Sequence, residues 1–349
     1  MVLGISIALA VQIFLALVLV FSFAVMSTWM IHLLAIQKRW LDVPNQRSGH
    51  REPTPNSGGI AFTMPFLLAL VYLGLHGFRA ELMWALAGGG ALVAMVGWVD
   101  DRWSLPARYR FLAYAIAAAW ALAWIGGMPT LRIGMQVFAL GFGGTLLAFF
   151  AIIWMANLMN FMDGIDGLVG SKTVLLGCVL GIMLFLQGQV FLAFILWLLA
   201  AATSGFLIWN WHPAKIFMGD TGSVLLGFTF GVIAIASERA AAVPAMIWWI
   251  FFGLFFADAS WTTLRRILRG YRFYEGHRCF SFHRAVLRGY THAQVTLGIL
   301  AWTVPLIVLG VLAWQVSVLV LPALGVSLSL SAILWWKYQD PISDAVRST

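Results

Sequence analysis

Charge is scarce in this chain: of 349 residues only 10% are Asp, Glu, Lys or Arg, while 62% are hydrophobic. A water-soluble protein of this length cannot hide so much apolar surface, so lipid is the solvent for most of it. Cysteine is nearly absent. Cys178 and Cys279 stand in unrelated contexts, which excludes a disulfide framework and a cysteine-rich zinc site. No short apolar core with a small-residue cleavage pattern opens the chain. The apolar run from Val2 to Ile36 is too long for a signal peptide and reads as a retained span. Internal repeats, low-complexity stretches and linkers are missing too, so residues 1–349 read as one integral-membrane domain. The net charge of +8 does not imply a nucleic-acid partner, because in a membrane chain the placement of basic residues carries the information.

What is present is a succession of apolar runs. A helix needs roughly 20 apolar residues to cross the hydrocarbon. Spans are predicted near 5–36, 58–76, 82–99, 109–126, 136–156, 171–187, 190–209, 222–237, 243–263, 294–313 and 315–336. The expected fold is therefore an all-α polytopic membrane protein with about eleven transmembrane helices. The number falls to ten if the tight pair at Gln187-Gly188-Gln189 or at Trp314-Gln315 is one broken span.

Loops after odd-numbered spans, with the C-terminal tail, hold eighteen Lys and Arg, Lys172 among them, against Arg79, Arg132 and Arg239 in the even-numbered loops. This asymmetry places the loops near 37–57, 100–108, 157–170, 210–221 and 264–293 in the cytoplasm. The N-terminus then lies outside and the C-terminus in the cytoplasm. Acids sort the same way, with only Glu81 and Glu238 on the even-numbered side. Polar chemistry on one face predicts an active site fed from the cytosol. A transport path would instead place ionisable groups near mid-membrane, which argues against a polyprenyl-lipid carrier.

Five constellations carry the chemistry. Asp100-Asp101 end an apolar run, where paired carboxylates raise each other's pKa or share a cation, or simply terminate a span. Asn157, Asn160, Asp163 and Asp166 recur every third residue, which on a helical segment makes one polar stripe of oxygen ligands suited to Mg²⁺. Met218-Gly-Asp220-Thr221-Gly-Ser223 opens a span: Thr221 or Ser223 is expected to cap it, its N–H groups to seat a phosphate, and Asp220 to stand beside a bridging cation. The Pro/Gly-rich loop from Asp42 to Gly59 carries Arg47 and His50, which suit a lipid phosphate or anionic headgroups equally well. The segment from Arg265 to His292 holds seven Arg and three His, and its His277-Arg278 pair suits a diphosphate. Asp258, two turns inside a span, must be paired, whereas His32, His76 and His212 read as structural.

Taken in order, these motifs resemble the polyprenyl-phosphate N-acetylhexosamine-1-phosphate transferases, and the resemblance runs along nearly the whole chain. It implies Mg²⁺ dependence, with Mn²⁺ as a substitute, and transfer of a sugar-1-phosphate from a UDP-N-acetylhexosamine donor to undecaprenyl phosphate, releasing UMP. By motif it makes Asp100, Asp101 and Asp163 catalytic and Asn157 and Asp220 metal ligands. Arg47, His50, Asn160, Asp166, His277 and Arg278 become substrate-binding residues. A homodimer is compatible with this reading. The string His277-Arg278-Cys279-Phe280 departs from the three histidines of the peptidoglycan branch. It looks more like the O-antigen-initiating branch, whose donors are often N-acetylated 6-deoxyhexosamines. A second histidine is usual there where Phe280 stands, so the donor sugar stays open. CDP-alcohol phosphotransferases are a competing class, but their Asp-Gly-x-x-Ala-Arg pattern is absent.

Overall fold

In the computed structural model, which describes residues 7–42, 53–271 and 279–338, the apolar runs are helices. The first four are α1 (Ile7–Gln37), α2 (Gly59–Leu75), α3 (Ala80–Trp103) and α4 (Ala107–Ile125). A β-ribbon precedes α2, pairing β1 (Leu41–Asp42) with β2 (Thr54–Pro55), and a second follows α4, pairing β3 (Thr130–Ile133) with β4 (Gln136–Ala139). Then come α5 (Gly141–Met162), α6 (Leu168–Leu186), α7 (Val190–Asn210) and α8 (Gly219–Arg239). The chain ends in α9 (Ala245–Phe251), α10 (Gly253–Leu268), α11 (Ser281–Leu287), α12 (His292–Gln315) and α13 (Val320–Tyr338).

Every expected span falls on one of these helices, with one break. Among the described residues, eight helices are long and apolar enough to cross a membrane, and nine if α9 and α10, bent by 79° at Phe252, form one span. The count of eleven is not reached on that measure. Helix α2 has 17 residues, and Arg108 and Arg110 in the first turn of α4 lower its mean hydropathy. The fifth span starts at Gly141 rather than 136, because Gln136–Ala139 pairs back on Thr130–Ile133 as a hairpin. The tight pair at Gln187–Gln189 is two helices, and so is the pair at Trp314-Gln315.

Helix α8 is the axis of the bundle. It packs on α2, α3 and α5, and nearly all of its residues from Thr221 to Ile233 are buried. Close approach depends on missing side chains: a Cβ on Gly97 of α3 would lie 2.6 Å from the Asp220 carbonyl carbon and the Thr221 nitrogen. Burial of such small-residue seams supplies contact that lipid tails cannot, since lipid gives no hydrophobic drive between helices. Much of the outer surface of α1, α12 and α13 is exposed and apolar, as a lipid-facing surface must be.

Candidate active site

The N-terminus of α8 is where the polar residues meet. Gly219 takes a positive φ of 68° and opens the helix, with Met218 at its N-cap making no side-chain cap bond. Neither Thr221 nor Ser223 caps it, contrary to expectation, because the helix begins two residues before Thr221. Asp101, at the end of α3, takes that role from across the interface. Its Oδ1 accepts the Asp220 N–H at 2.7 Å, and its Oδ2 accepts the Thr221 hydroxyl at 2.7 Å and the Thr221 N–H at 3.3 Å. The expected phosphate seat is thus filled by a carboxylate of the chain itself, which the positive end of the helix dipole stabilises.

Around this cap stand three more acids. Asp100 accepts the Leu105 N–H and binds Arg110 Nη1 at 2.9 Å. The same Arg110 nitrogen lies 3.3 Å from Asp220 Oδ2, and the Asn160 amide donates to Asp220 Oδ1 at 2.8 Å and to the Ser223 hydroxyl at 3.2 Å. Asp163 is the C-cap residue of α5, so the polar stripe is not one helical face. Asn157 and Asn160 are on the helix, while Asp163 and Asp166 lie beyond its end. The Asn157 side-chain N–H turns back to the Ile153 carbonyl at 2.8 Å, and its Oδ1 accepts no hydrogen bond among the described residues. Nor does the Asp163 carboxylate. Burial, with the charges of Asp101 and Asp166 nearby, pushes the Asp163 carboxyl up to about 8.

Among the described residues, Arg110 is thus the one cation in direct ion-pair contact with these four acids, touching two of them, and Asp163 has no partner. All four are half-buried, so the junction is open on one side. Such a surplus of negative charge in partial burial calls for a cation or protons.

Asp166 belongs to a separate, satisfied group. Its Oδ2 lies 2.7 Å from His212 Nδ1 and accepts the Ala214 N–H at 3.2 Å, and its Oδ1 lies 3.1 Å from His292 Nδ1. Burial alone would raise this carboxyl, but hydrogen bonds from His292 and His212 outweigh it and hold it below the usual carboxylate range. The three ligand atoms sit within 4.8 Å of one another. Two imidazole Nδ1 atoms and the Ala214 N–H are all turned onto this one carboxylate, so the group is a clamp. The Thr296 hydroxyl adds a bond to the Asp166 carbonyl at 3.1 Å, so the loop after α5 is fastened to α12. His212 is structural, as the sequence suggests, but its pairing with Asp166 carries no spacing signal. Sequence reasoning counted Arg110 only as a loop charge, although just a short turn, Ser104-Leu105-Pro106, separates the end of α3 from α4.

The buried acid Asp258 is paired as expected, by hydrogen bonds. Its oxygens accept the Ser281 N–H at 2.9 and 3.0 Å, the Ser281 hydroxyl at 3.1 Å and the Thr262 hydroxyl at 3.3 Å. It caps α11 from α10. Arg47, His50, His277 and Arg278 lie outside the described residues.

Fold and site together define a polytopic membrane protein with a polyanionic junction at one end of its helices. Residues 83–238, from α3 through α8, match the profile of Glycosyl transferase family 4. A probable undecaprenyl-phosphate N-acetylglucosaminyl 1-phosphate transferase of Bacillus subtilis is 28% identical, over 76% of this chain and 75% of its own length. A decaprenyl-phosphate N-acetylglucosaminephosphotransferase of Mycobacterium leprae is 30% identical, over 79% and 77%. A phospho-N-acetylmuramoyl-pentapeptide-transferase of Moorella thermoacetica is 30% identical, over 55% and 64%. The chain belongs to glycosyl transferase family 4, the polyprenyl-phosphate hexosamine-1-phosphate transferases. It is a multi-span membrane phospho-sugar transferase.

Proposed function

We propose that this enzyme transfers an N-acetylhexosamine-1-phosphate from a UDP-sugar to undecaprenyl phosphate at the cytoplasmic face of a bacterial inner membrane. The product would enter O-antigen or another cell-surface glycan. The observation that carries the reading is the open junction of Asp100, Asp101, Asp163 and Asp220, where among the described residues negative charge is in surplus and the Asp163 carboxylate has no partner. A site of that charge binds phosphates only together with a cation.

Mg²⁺, or Mn²⁺, fits these donors: Asp220 and the unengaged Asn157 Oδ1 would hold it, with Asp163 adding charge beside them. When bound, the ion supplies charge neutralisation on the donor diphosphate. The chain's own residues do the rest. Arg110 fixes Asp100 and Asp220 side by side, and Asn160 turns Asp220 on its other oxygen. Asp101 keeps the α8 terminus occupied, so the diphosphate meets the carboxylate side of the junction. Asp163 accepts the proton of the lipid phosphate. An oxygen of that phosphate then attacks the sugar-bearing phosphorus, the bond from this phosphorus to UMP breaks, and UMP leaves.

Membranes carrying the enzyme, given undecaprenyl phosphate, Mg²⁺ and a panel of UDP-N-acetylhexosamines, should release UMP with a matching donor. The panel includes UDP-MurNAc-pentapeptide, because the Moorella relative's name favours that second reading. No UMP from any donor would overturn the proposal.

A further inference from the structure

Lys172 is counted by sequence among the cytoplasmic loop charges, but the structure seals it inside the bundle. It sits in the second turn of α6 with no exposed surface. Its Nζ donates to the Phe251 carbonyl at 3.0 Å and to the Thr303 hydroxyl at 2.8 Å, and the Phe255 ring lies 5.3 Å away. Among the described residues no carboxylate pairs with it. A buried charge held only by neutral acceptors costs stability, and an apolar residue of similar volume is often better tolerated. Stability therefore does not explain a lysine here.

Its partners point to another reason. Phe251 is the last residue of α9, and its carbonyl borders the break where α9 and α10 bend by 79°. Carbonyls at a helix end lack intrahelical partners, and a kink of this size needs an identifiable group to hold it. Thr303 belongs to α12 and passes its own hydroxyl hydrogen to the Ile299 carbonyl at 2.8 Å. One ammonium thus joins α6, the break and α12. All three lead to the same end of the site. Helix α6 grows directly out of the loop holding Asp163 and Asp166, α12 begins at His292 against Asp166, and α10 carries Asp258, which fastens the start of α11.

We infer that Lys172 is a positioning residue: it fixes the bend between α9 and α10 and so registers the side of the active site between α10 and α12, the stretch in which the sequence puts the diphosphate-binding pair His277-Arg278. The catalytic consequence rests on the proposed transfer reaction, whereas the geometric one does not. K172M should therefore fold with a thermal midpoint equal to or above that of wild type. Its kcat/KM for the UDP-sugar should fall at least about tenfold, mostly through KM, since small misplacements far from the chemistry are amplified there. The KM for polyprenyl phosphate should stay within about twofold if only that side is displaced. K172R, which keeps the charge and reach, should recover most of the loss. T303V should show a smaller change in the same direction, and adding it to K172M should cost little more, because both act through one contact.

The geometry is read by spin labels at the exposed positions Ile182 and Leu268, in a background with Cys178 and Cys279 replaced by serine. The inter-label distance should shift or broaden in K172M and return in K172R. The inference is overturned if K172M keeps the wild-type donor KM and label distance. It is equally overturned if K172M unfolds, or loses stability in step with activity without recovery in K172R. A wild-type enzyme that releases no UMP would count against the proposed reaction alone, and the label distances would still decide the role of Lys172.

Discussion

The two ends of α8 carry the same kind of residue in opposite circumstances. At its C-terminus Glu238 has a fully buried side chain. Its Oε1 accepts the Arg132 N–H at 2.9 Å and Arg132 Nε at 3.1 Å, and its Oε2 accepts the Ala245 N–H at 2.7 Å. Arg239 beside it donates to the Gly126 and Gly127 carbonyls at 2.8 and 3.3 Å. Every charge there is answered, and the group ties the β3–β4 hairpin to the turn between α8 and α9. At the N-terminus Asp220 stands among three other acids, and among the described residues Arg110 is shared between two and Asp163 has no cation in contact. A saturated polar cluster is complete without a ligand. An unsaturated one is stable only with something added, and that is the physical mark of a site.

Substitutions at the two ends should therefore separate activity from stability. Asp220→Asn and Asp163→Asn are expected to lower turnover by about a thousandfold or more, roughly 4 kcal/mol of transition-state stabilisation, while the protein stays folded. Glu238→Ala should do the reverse. Breaking the buried pair with Arg132 should cost about 3 kcal/mol of stability, read as a drop in thermal midpoint, and leave kcat in the surviving folded enzyme close to wild type. Equal activity losses at both ends would dissolve the contrast.

Smaller effects sharpen it. Protons and cations should compete at the unsaturated end only. Because the Asp163 carboxyl titrates at about 8 in the folded protein, the Mg²⁺ concentration for half-maximal rate should rise as pH falls below that value, by up to roughly tenfold per unit. The sign for metal-free stability follows from the same shift. Between about 4, where an unfolded aspartate titrates, and about 8, the folded state holds the extra proton, so stability should decline as pH rises across that window. Added Mg²⁺ should reverse the decline. Asp163→Asn should weaken both trends, and Glu238→Gln should leave both in place.

Much of this was legible in the sequence, for physical reasons that also mark where legibility ends. Long apolar runs locate helices because lipid leaves the backbone no alternative, and Asp100, Asp101, Asn160 and Asp220 do converge on one end of the bundle. Contacts between distant segments leave no periodic trace. That Asp101 would cap α8, that His212 and His292 would close on Asp166, and that Lys172 would point inward all depend on how helices pack. The hairpin at 130–139 was hidden because its short apolar strand adjoins the apolar start of α5. The break at Phe252 carries no proline. It is held by Lys172, a residue 80 positions earlier in the chain.

On the proposed function, the unsaturated junction at the start of α8 is a divalent-cation site. Mn²⁺ titration of the purified enzyme, followed by electron paramagnetic resonance of the free ion, tests it without any assumption about the donor sugar. Wild type and Glu238→Gln should take up Mn²⁺ alike, with Mg²⁺ competing, whereas Asp220→Asn and Asp163→Asn should bind at least about tenfold more weakly. Uptake by Asp220→Asn equal to that of wild type would contradict the account.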